Sequence, residues 1–189
     1  MIDYIKGKII TKKPTSVVVD MGGFGIKVDI PISTSEYIGE KDDEVKLFTF
    51  VSIKNEELNI YGFATKPERR LFKKLVSVQG IGTKTALGIL SEIGVESFER
   101  AVVDNDMDVL MAIHGIGPKT AKRIVFELRE EMEDTSLITE APPLKKDAIA
   151  ALVSLGFKAK KARKVVESVL KEKKTESLEE LIKETLKRL

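Results

Sequence analysis

The sequence contains no cysteine, which excludes disulfides and thiolate-ligated zinc alike. Its one histidine, His114, removes any His-rich metal site or two-histidine active centre, and its place just before a glycine turn suits an ordinary loop residue. No apolar run approaches membrane-spanning length. The opening Met1-Ile2-Asp3-Tyr4-Ile5-Lys6 lacks the apolar core and small-residue cleavage site of a secretory signal, so the expected setting is the cytoplasm. A strong excess of positive charge is missing as well: the net charge is +2. By itself that predicts no nucleic-acid partner. Glutamine occurs once, at position 79, and asparagine is scarce beside abundant Lys and Glu, a composition expected of a thermophile.

What charge there is sits unevenly. Residues 136–189 hold 13 Lys and Arg against 8 Asp and Glu, residues 64–135 hold 11 against 12, and residues 1–63 hold 8 against 10. A basic-tail argument therefore points at the end of the chain, and any anionic partner of the middle must meet charge sorted by face.

Hydrophobic periodicity changes twice. Ser16–Asp20 is a β-branched strand, Gly22-Gly23-Phe24-Gly25 a turn, and Ile26–Ile30 alternates with period two. Val45, Leu47, Thr49, Val51 and Ile53 fall on one face of a long strand, and Leu58–Phe63 supplies its return. Five or six short strands with Gly/Pro turns over residues 1–63 predict a small β-barrel of the OB-fold type. Thr65 and Pro67 then mark a helix start. From there to residue 134 the period is helical: Leu71, Leu75 and Val78; Ala86, Ile89, Leu90 and Ile93; Val109, Leu110 and Ile113; Ala121, Ile124, Val125 and Leu128. Residues 135–144 lack periodicity and contain Pro142-Pro143, which predicts a flexible linker. Three amphipathic segments close the chain, Lys146–Leu155, Ala159–Lys173 and Ser177–Leu189, a three-helix bundle over 145–189 with a capping-box pattern at Ser177 and Glu180.

One pattern occurs twice. Leu75-Val76-Ser77-Val78-Gln79-Gly80-Ile81-Gly82-Thr83-Lys84-Thr85-Ala86 aligns, 35 residues on, with Leu110-Met111-Ala112-Ile113-His114-Gly115-Ile116-Gly117-Pro118-Lys119-Thr120-Ala121. The first Gly of each copy suits a left-handed position at a helix end. The Ile anchors the turn, and the second Gly lets backbone approach a ligand. The following helix begins with unpaired N–H groups and a positive dipole end, to which a phosphate oxygen is the natural partner. Lys84 and Lys119 occupy that first turn, where a cation gains nothing from the dipole, and Lys122 and Arg123 follow one turn later. A single copy reads equally well as a plain αα-hairpin; two in-register copies with the same Lys-Thr-Ala continuation favour a tandem helix-hairpin-helix phosphate clamp. The expected contacts are Gly80, Gly82, Thr83, Lys84, Gly115, Gly117, Lys119, Thr120, Lys122 and Arg123. Neither copy is a nucleotide P-loop, because Thr83 or Pro118 separates the Gly from the Lys-Thr pair. With Lys66, Arg69, Arg70, Lys73, Lys74 and Lys84 basic, and Glu92, Glu96, Glu99, Asp104, Asp106 and Asp108 acidic, the expectation is a positive hairpin edge and a negative far side, with sequence-independent, salt-sensitive binding.

The barrel with Tyr61-Gly62-Phe63 at its exit, Leu71-Phe72-Lys73 after Glu68-Arg69, both Gly-Ile-Gly turns and the tail's Ala150-Ala151-Leu152-Val153-Ser154-Leu155-Gly156-Phe157 together resemble the RuvA family, over essentially the whole chain. These are the Holliday-junction-binding subunits of the bacterial branch-migration machine in recombination and repair. The resemblance implies a planar tetramer, single or paired, in which each subunit holds one duplex arm with its hairpins on the two strands across the minor groove. It implies a tail that recruits the RuvB ATPase, the RuvC resolvase as a further partner, and no ATP hydrolysis by the chain itself. It also implies an acidic pin at a β-hairpin tip, here Lys54-Asn55-Glu56-Glu57; the family's acidic pair is displaced by one residue, with Glu56 carried over, Glu57 as its partner and Asn55 where the first acid would fall. The Leu-Gly-Phe helix end resembles ubiquitin-associated-like bundles, which expose an apolar patch to a partner helix, and Leu152, Leu155 and Phe157 are the expected RuvB contacts.

Two rival readings remain at this level. A helix-hairpin-helix DNA glycosylase/lyase can place its catalytic Lys where Lys119 stands, but the Asp such chemistry needs, near residue 137, is replaced by Leu137, with Asp134 a loose substitute. A pure interaction module would use the hairpins to dock protein. No catalytic residue, cofactor or side-chain metal ligand is expected; hairpin carbonyls of this kind can hold a monovalent cation.

Overall fold

The computed structural model describes residues 2–54, 56–139, 143–172 and 177–188. Two compact units divide the chain, Met1–Glu127 and Leu128–Leu189. The barrel and both hairpin turns lie in the first of these units.

Among the described residues five strands, β1 (Tyr4–Lys13), β2 (Ser16–Asp20), β3 (Gly25–Asp29), β4 (Glu44–Lys54) and β5 (Glu57–Phe63), close a barrel in the order β1-β2-β3-β5-β4. This is the OB-like barrel expected. Only the β3–β5 seam is parallel. The period-two sets point inward: Ile5, Ile9, Val17, Val19, Val28, Val45 and Leu47 are all buried. In β1 the inward position between Ile5 and Ile9 is Gly7, where a Cβ would lie 2.1 Å from the Asp20 carbonyl oxygen. That glycine interrupts the hydrophobic alternation, and β1 is not evident in the sequence for that reason. The Gly22-Gly23 turn closes as expected, with both N–H groups donating to the Asp20 carboxylate at 3.0 Å. Along β4 the buried face runs out before the tip: Ile53 is 76% exposed, although it shares a face with Val45 and Leu47.

A short helix, α1 (Ile32–Tyr37), joins β3 to β4; its six residues give too few turns to show a period in the sequence. After the barrel come α2 (Lys66–Ser77), α3 (Thr83–Glu92), α4 (Val95–Val103), α5 (Met107–Ala112) and α6 (Pro118–Thr139). Thr65 caps α2 in a full capping box with Glu68. Phe72 of α2 is fully buried, with its ring centroid 5.4, 5.2 and 4.9 Å from those of Phe50, Tyr61 and Phe63. Arg69, one turn earlier, donates to the carbonyl and carboxylate of Asp3 and to the Thr49 carbonyl. The charge expected at the hairpin edge is here tied to the barrel, and its hydrogen bond holds the Asp3 carboxyl below the usual range.

The helix α6 continues to Thr139, so residues 135–139, expected as linker, are helical; residues 140–142 lie outside the described set. In the second unit α7 (Pro143–Ser154), α8 (Ala159–Glu172) and α9 (Leu178–Leu186) pack around Ala148, Ile149, Leu152, Ala162, Val166, Val169 and Leu181. Pro143 opens α7, as a proline can in a first helical turn. Ser177 stands at the N-cap of α9 but makes no side-chain cap bond, so the expected capping box is not formed. Lys173, which ends one expected segment, and Leu189 lie outside the described residues.

Candidate nucleic-acid interface

The two repeats fold alike down to their backbone bonds. In the first, Ile81 N–H donates to Val78 O at 3.1 Å and Ala86 N–H to Gly82 O at 2.9 Å. In the second, Ile116 N–H donates to Ile113 O at 3.1 Å and Ala121 N–H to Gly117 O at 2.9 Å. Ile81 and Ile116 are buried, pinning each turn to the core. Gly80 (φ +96) and Gly115 (φ +83) occupy the left-handed region. The preceding helices end earlier than expected, at Ser77 and Ala112, so these glycines shape the turn and do not terminate the helix.

The second glycine of each turn has a different reason. Neither Gly82 nor Gly117 is left-handed, and a Cβ on either would meet nothing within 4 Å. Among the described residues no neighbour demands glycine at these two positions. Just beyond them α3 and α6 begin without an acidic residue in the first turn, and Gly82 makes no side-chain cap. In the same unit α2, α4 and α5 each carry a first-turn acid, Glu68, Glu96 and Asp108. The two hairpin helices thus keep their positive ends uncompensated. Lys84, Lys119 and Lys122 are exposed and, among the described residues, hold no carboxylate partner. Thr120 is half-buried.

Two expected contacts are already engaged. The Thr83 hydroxyl accepts from the Tyr61 hydroxyl at 3.0 Å, joining the first hairpin to the last barrel strand. Arg123 donates from Nη1 to the Gln79 carbonyl at 2.8 Å, with Glu127 3.9 Å from its Nε. The sorting of acids differs from expectation at Glu92. It does not lie on the far side: its carboxylate accepts from the His114 N–H at 2.8 Å, inside the second turn. Asp106 caps α5 by accepting from Val109 N–H at 3.1 Å, and Val109, expected inside, is 39% exposed.

The pin residues sit where β4 turns into β5. Lys54 pairs with Glu57, and Glu56 and Glu57 are both exposed, with Glu56 at φ +65; Asn55 lies outside the described residues. In the tail, Leu152 has 0% exposure and belongs to the bundle core, whereas the expectation had it as a partner contact. Phe157 is half-buried against that core, and Leu155 is 61% exposed. Leu152 lies on α7, while Leu155 and Phe157 follow its end at Ser154.

Residues 1–62 match the RuvA N terminal domain, residues 72–130 the SAM-like helix-hairpin-helix tandem, and residues 143–189 the RuvA C-terminal domain. Among similar curated proteins, one from Caldanaerobacter subterraneus subsp. tengcongensis is 39% identical over 189 residues, covering 100% of this chain and 99% of the relative. A second, from Thermodesulfovibrio yellowstonii, is 40% identical over 186 residues, covering 98% and 95%. A third, from Flavobacterium psychrophilum, is 39% identical over 194 residues and covers 100% of both. Each is named Holliday junction branch migration complex subunit RuvA.

Proposed function

This chain belongs to the RuvA family, and from that premise we propose that it is the non-catalytic subunit that binds four-way DNA junctions as a tetramer and recruits the RuvB ATPase for branch migration. The observation that carries the reading is the doubled turn: two helix starts with the same backbone bonds, each with an uncompensated positive end, a solvent-open glycine and a lysine with no carboxylate partner among the described residues. Each turn takes one phosphate of a duplex arm, through the first-turn N–H groups and Lys84 in one copy and Lys119 with Lys122 in the other. Gly80 and Gly115 hold the turns in shape. Thr83 orients the first helix start through Tyr61, and Thr120 stands in the first turn of the second. Such contacts carry no base readout, so recognition rests on the shape of the junction and on assembly. Glu56 and Glu57 form the pin: two exposed carboxylates at a narrow tip repel the phosphates that crowd a junction centre and help to part the strands. In the tail, exposed Leu155 and the open side of Phe157 serve as the RuvB contact. Single or paired tetramers, the RuvC resolvase as a further partner and a cytoplasmic setting complete the proposal; among the described residues no helix is long and apolar enough to cross a membrane.

Binding of the full chain to a synthetic four-way junction, titrated against salt, tests the reading. Preference for the junction over its component duplexes, with affinity falling steeply as salt rises, is expected. Equal affinity for junction and linear duplex, or binding indifferent to salt, overturns it.

A further inference from the structure

The repeat places Gln79 and His114 at equivalent positions, 35 residues apart, each one residue before its turn's first glycine. Both backbones are tied to the opposite hairpin. The Gln79 carbonyl accepts from Arg123, on the second helix of the second hairpin, at 2.8 Å. The His114 N–H donates to Glu92, on the second helix of the first hairpin, at 2.8 Å. Glu92 is the last residue of α3, where an acid opposes the helix dipole, and it lies beside a surface that otherwise attracts anions. Neither helix stability nor phosphate binding accounts for a carboxylate in that place. The bond to His114 does.

We propose that Glu92 and Arg123 are reciprocal positioning residues that fix the spacing between the two phosphate-binding turns, so that both engage one duplex at once. The inference rests on the clamp reading above and adds to it a source of selectivity for duplex over single strand. A single strand needs only one turn, whereas a duplex needs two at a set separation, and two linked contacts exceed one only while the geometry allows both. For Arg123 the tie uses Nη1, and Nε lies 3.9 Å from the Glu127 carboxylate, which leaves Nη2 for a phosphate. For Glu92 the positioning role and the electrostatic role have opposite signs, which makes it the decisive residue. Loss of a negative charge beside the clamp should strengthen binding of any nucleic acid; loss of the tie should weaken duplex binding alone.

The test measures the affinity of the full-length wild-type protein, Glu92→Ala and Glu92→Gln for a four-way junction, a linear duplex and a single strand of equal length at one salt concentration. Amide exchange at His114 is followed in parallel, and circular dichroism checks the fold. For Glu92→Ala the expected result is junction and duplex affinity down by about three- to tenfold, single-strand affinity unchanged or raised, and faster exchange at His114. Glu92→Gln keeps an acceptor oxygen and should recover most of the duplex affinity. The proposal is overturned if Glu92→Ala binds duplex as well as or better than wild type, if duplex and single-strand affinity fall together in folded protein, or if His114 exchange is unaltered. A wild-type chain that binds none of the three DNAs defeats the clamp reading itself, and this inference with it.

Discussion

The two glycines of a turn should fail in different assays. At Gly80 the backbone sits at φ +96, so alanine there costs about 1–2 kcal/mol from the clash of Cβ with the backbone. At Gly82 the backbone is at φ −88 and ψ 171, which alanine adopts freely, and its Cβ would have no neighbour within 4 Å. The cost at Gly82 is then only the poorer N-cap, about 0.5–1 kcal/mol. In a unit of this size 1 kcal/mol moves the melting midpoint by roughly 3–6 °C, so thermal melts should rank Gly80→Ala below Gly82→Ala. Binding should reverse that order. A methyl group at Gly82 stands between the helix start and an incoming phosphate, and pushing a charge-assisted bond out of reach removes about 1.5–3 kcal/mol, on the order of ten- to a hundredfold in affinity. Gly117→Ala should behave as Gly82→Ala does, and Gly115→Ala as Gly80→Ala. Melts and junction-binding titrations on the four variants decide the matter. Were Gly82→Ala and Gly117→Ala to bind junction as tightly as wild type, the claim that these glycines face the phosphates would be refuted.

Three further outcomes are expected. Phe72→Ala empties the aromatic contact between α2 and the barrel and should destabilise the first unit by about 3–5 kcal/mol, measurable by denaturant unfolding; a loss below about 1 kcal/mol would contradict that contact. In the second unit the Glu167 carboxyl is held down to about 2 by hydrogen bonds from Lys145 and Arg163. Its folded value is depressed, so its stabilisation is present above the ordinary glutamate range near 4.5 and is lost as pH falls toward 2. The side chain is 38% exposed, so solvent screening keeps the effect under about 1 kcal/mol, and Glu167→Gln should flatten the pH dependence of melting between pH 4.5 and 2. Glu56→Gln with Glu57→Gln should leave melting in place and junction affinity unchanged or raised while slowing or altering RuvB-driven branch migration; unchanged migration would remove the pin role.

The legible parts of the fold are those that a short local pattern specifies. Both Gly-Ile-Gly turns, the Thr65 cap and the Asp20 turn depend on residues within a few positions of one another, and each forms as its chemistry requires. Features that depend on what lies across space were not legible. Glu92 looks like one of a run of surface acids, and only the fold brings its carboxylate to His114, 22 residues away in the chain. Arg69 reads as surface charge until the N-terminal strand delivers Asp3 to it. Leu152 and Leu155 share one expected helical segment, and the packing of α8 and α9 decides which one is core. Residues 135–139 carry little periodicity of their own, yet α6 runs on through them. The acid at the C-terminal end of α3 opposes the helix dipole, as the first-turn lysines do, and such misplaced charge marks a partner beyond its own helix, which for Glu92 is His114.

Native mass spectrometry of the chain with a synthetic four-way junction tests the central claim most directly. The account predicts a complex of one junction with four subunits, or eight where two tetramers enclose it, that dissociates as the ammonium acetate concentration rises. One or two subunits on the junction, or no complex at low salt, would contradict it.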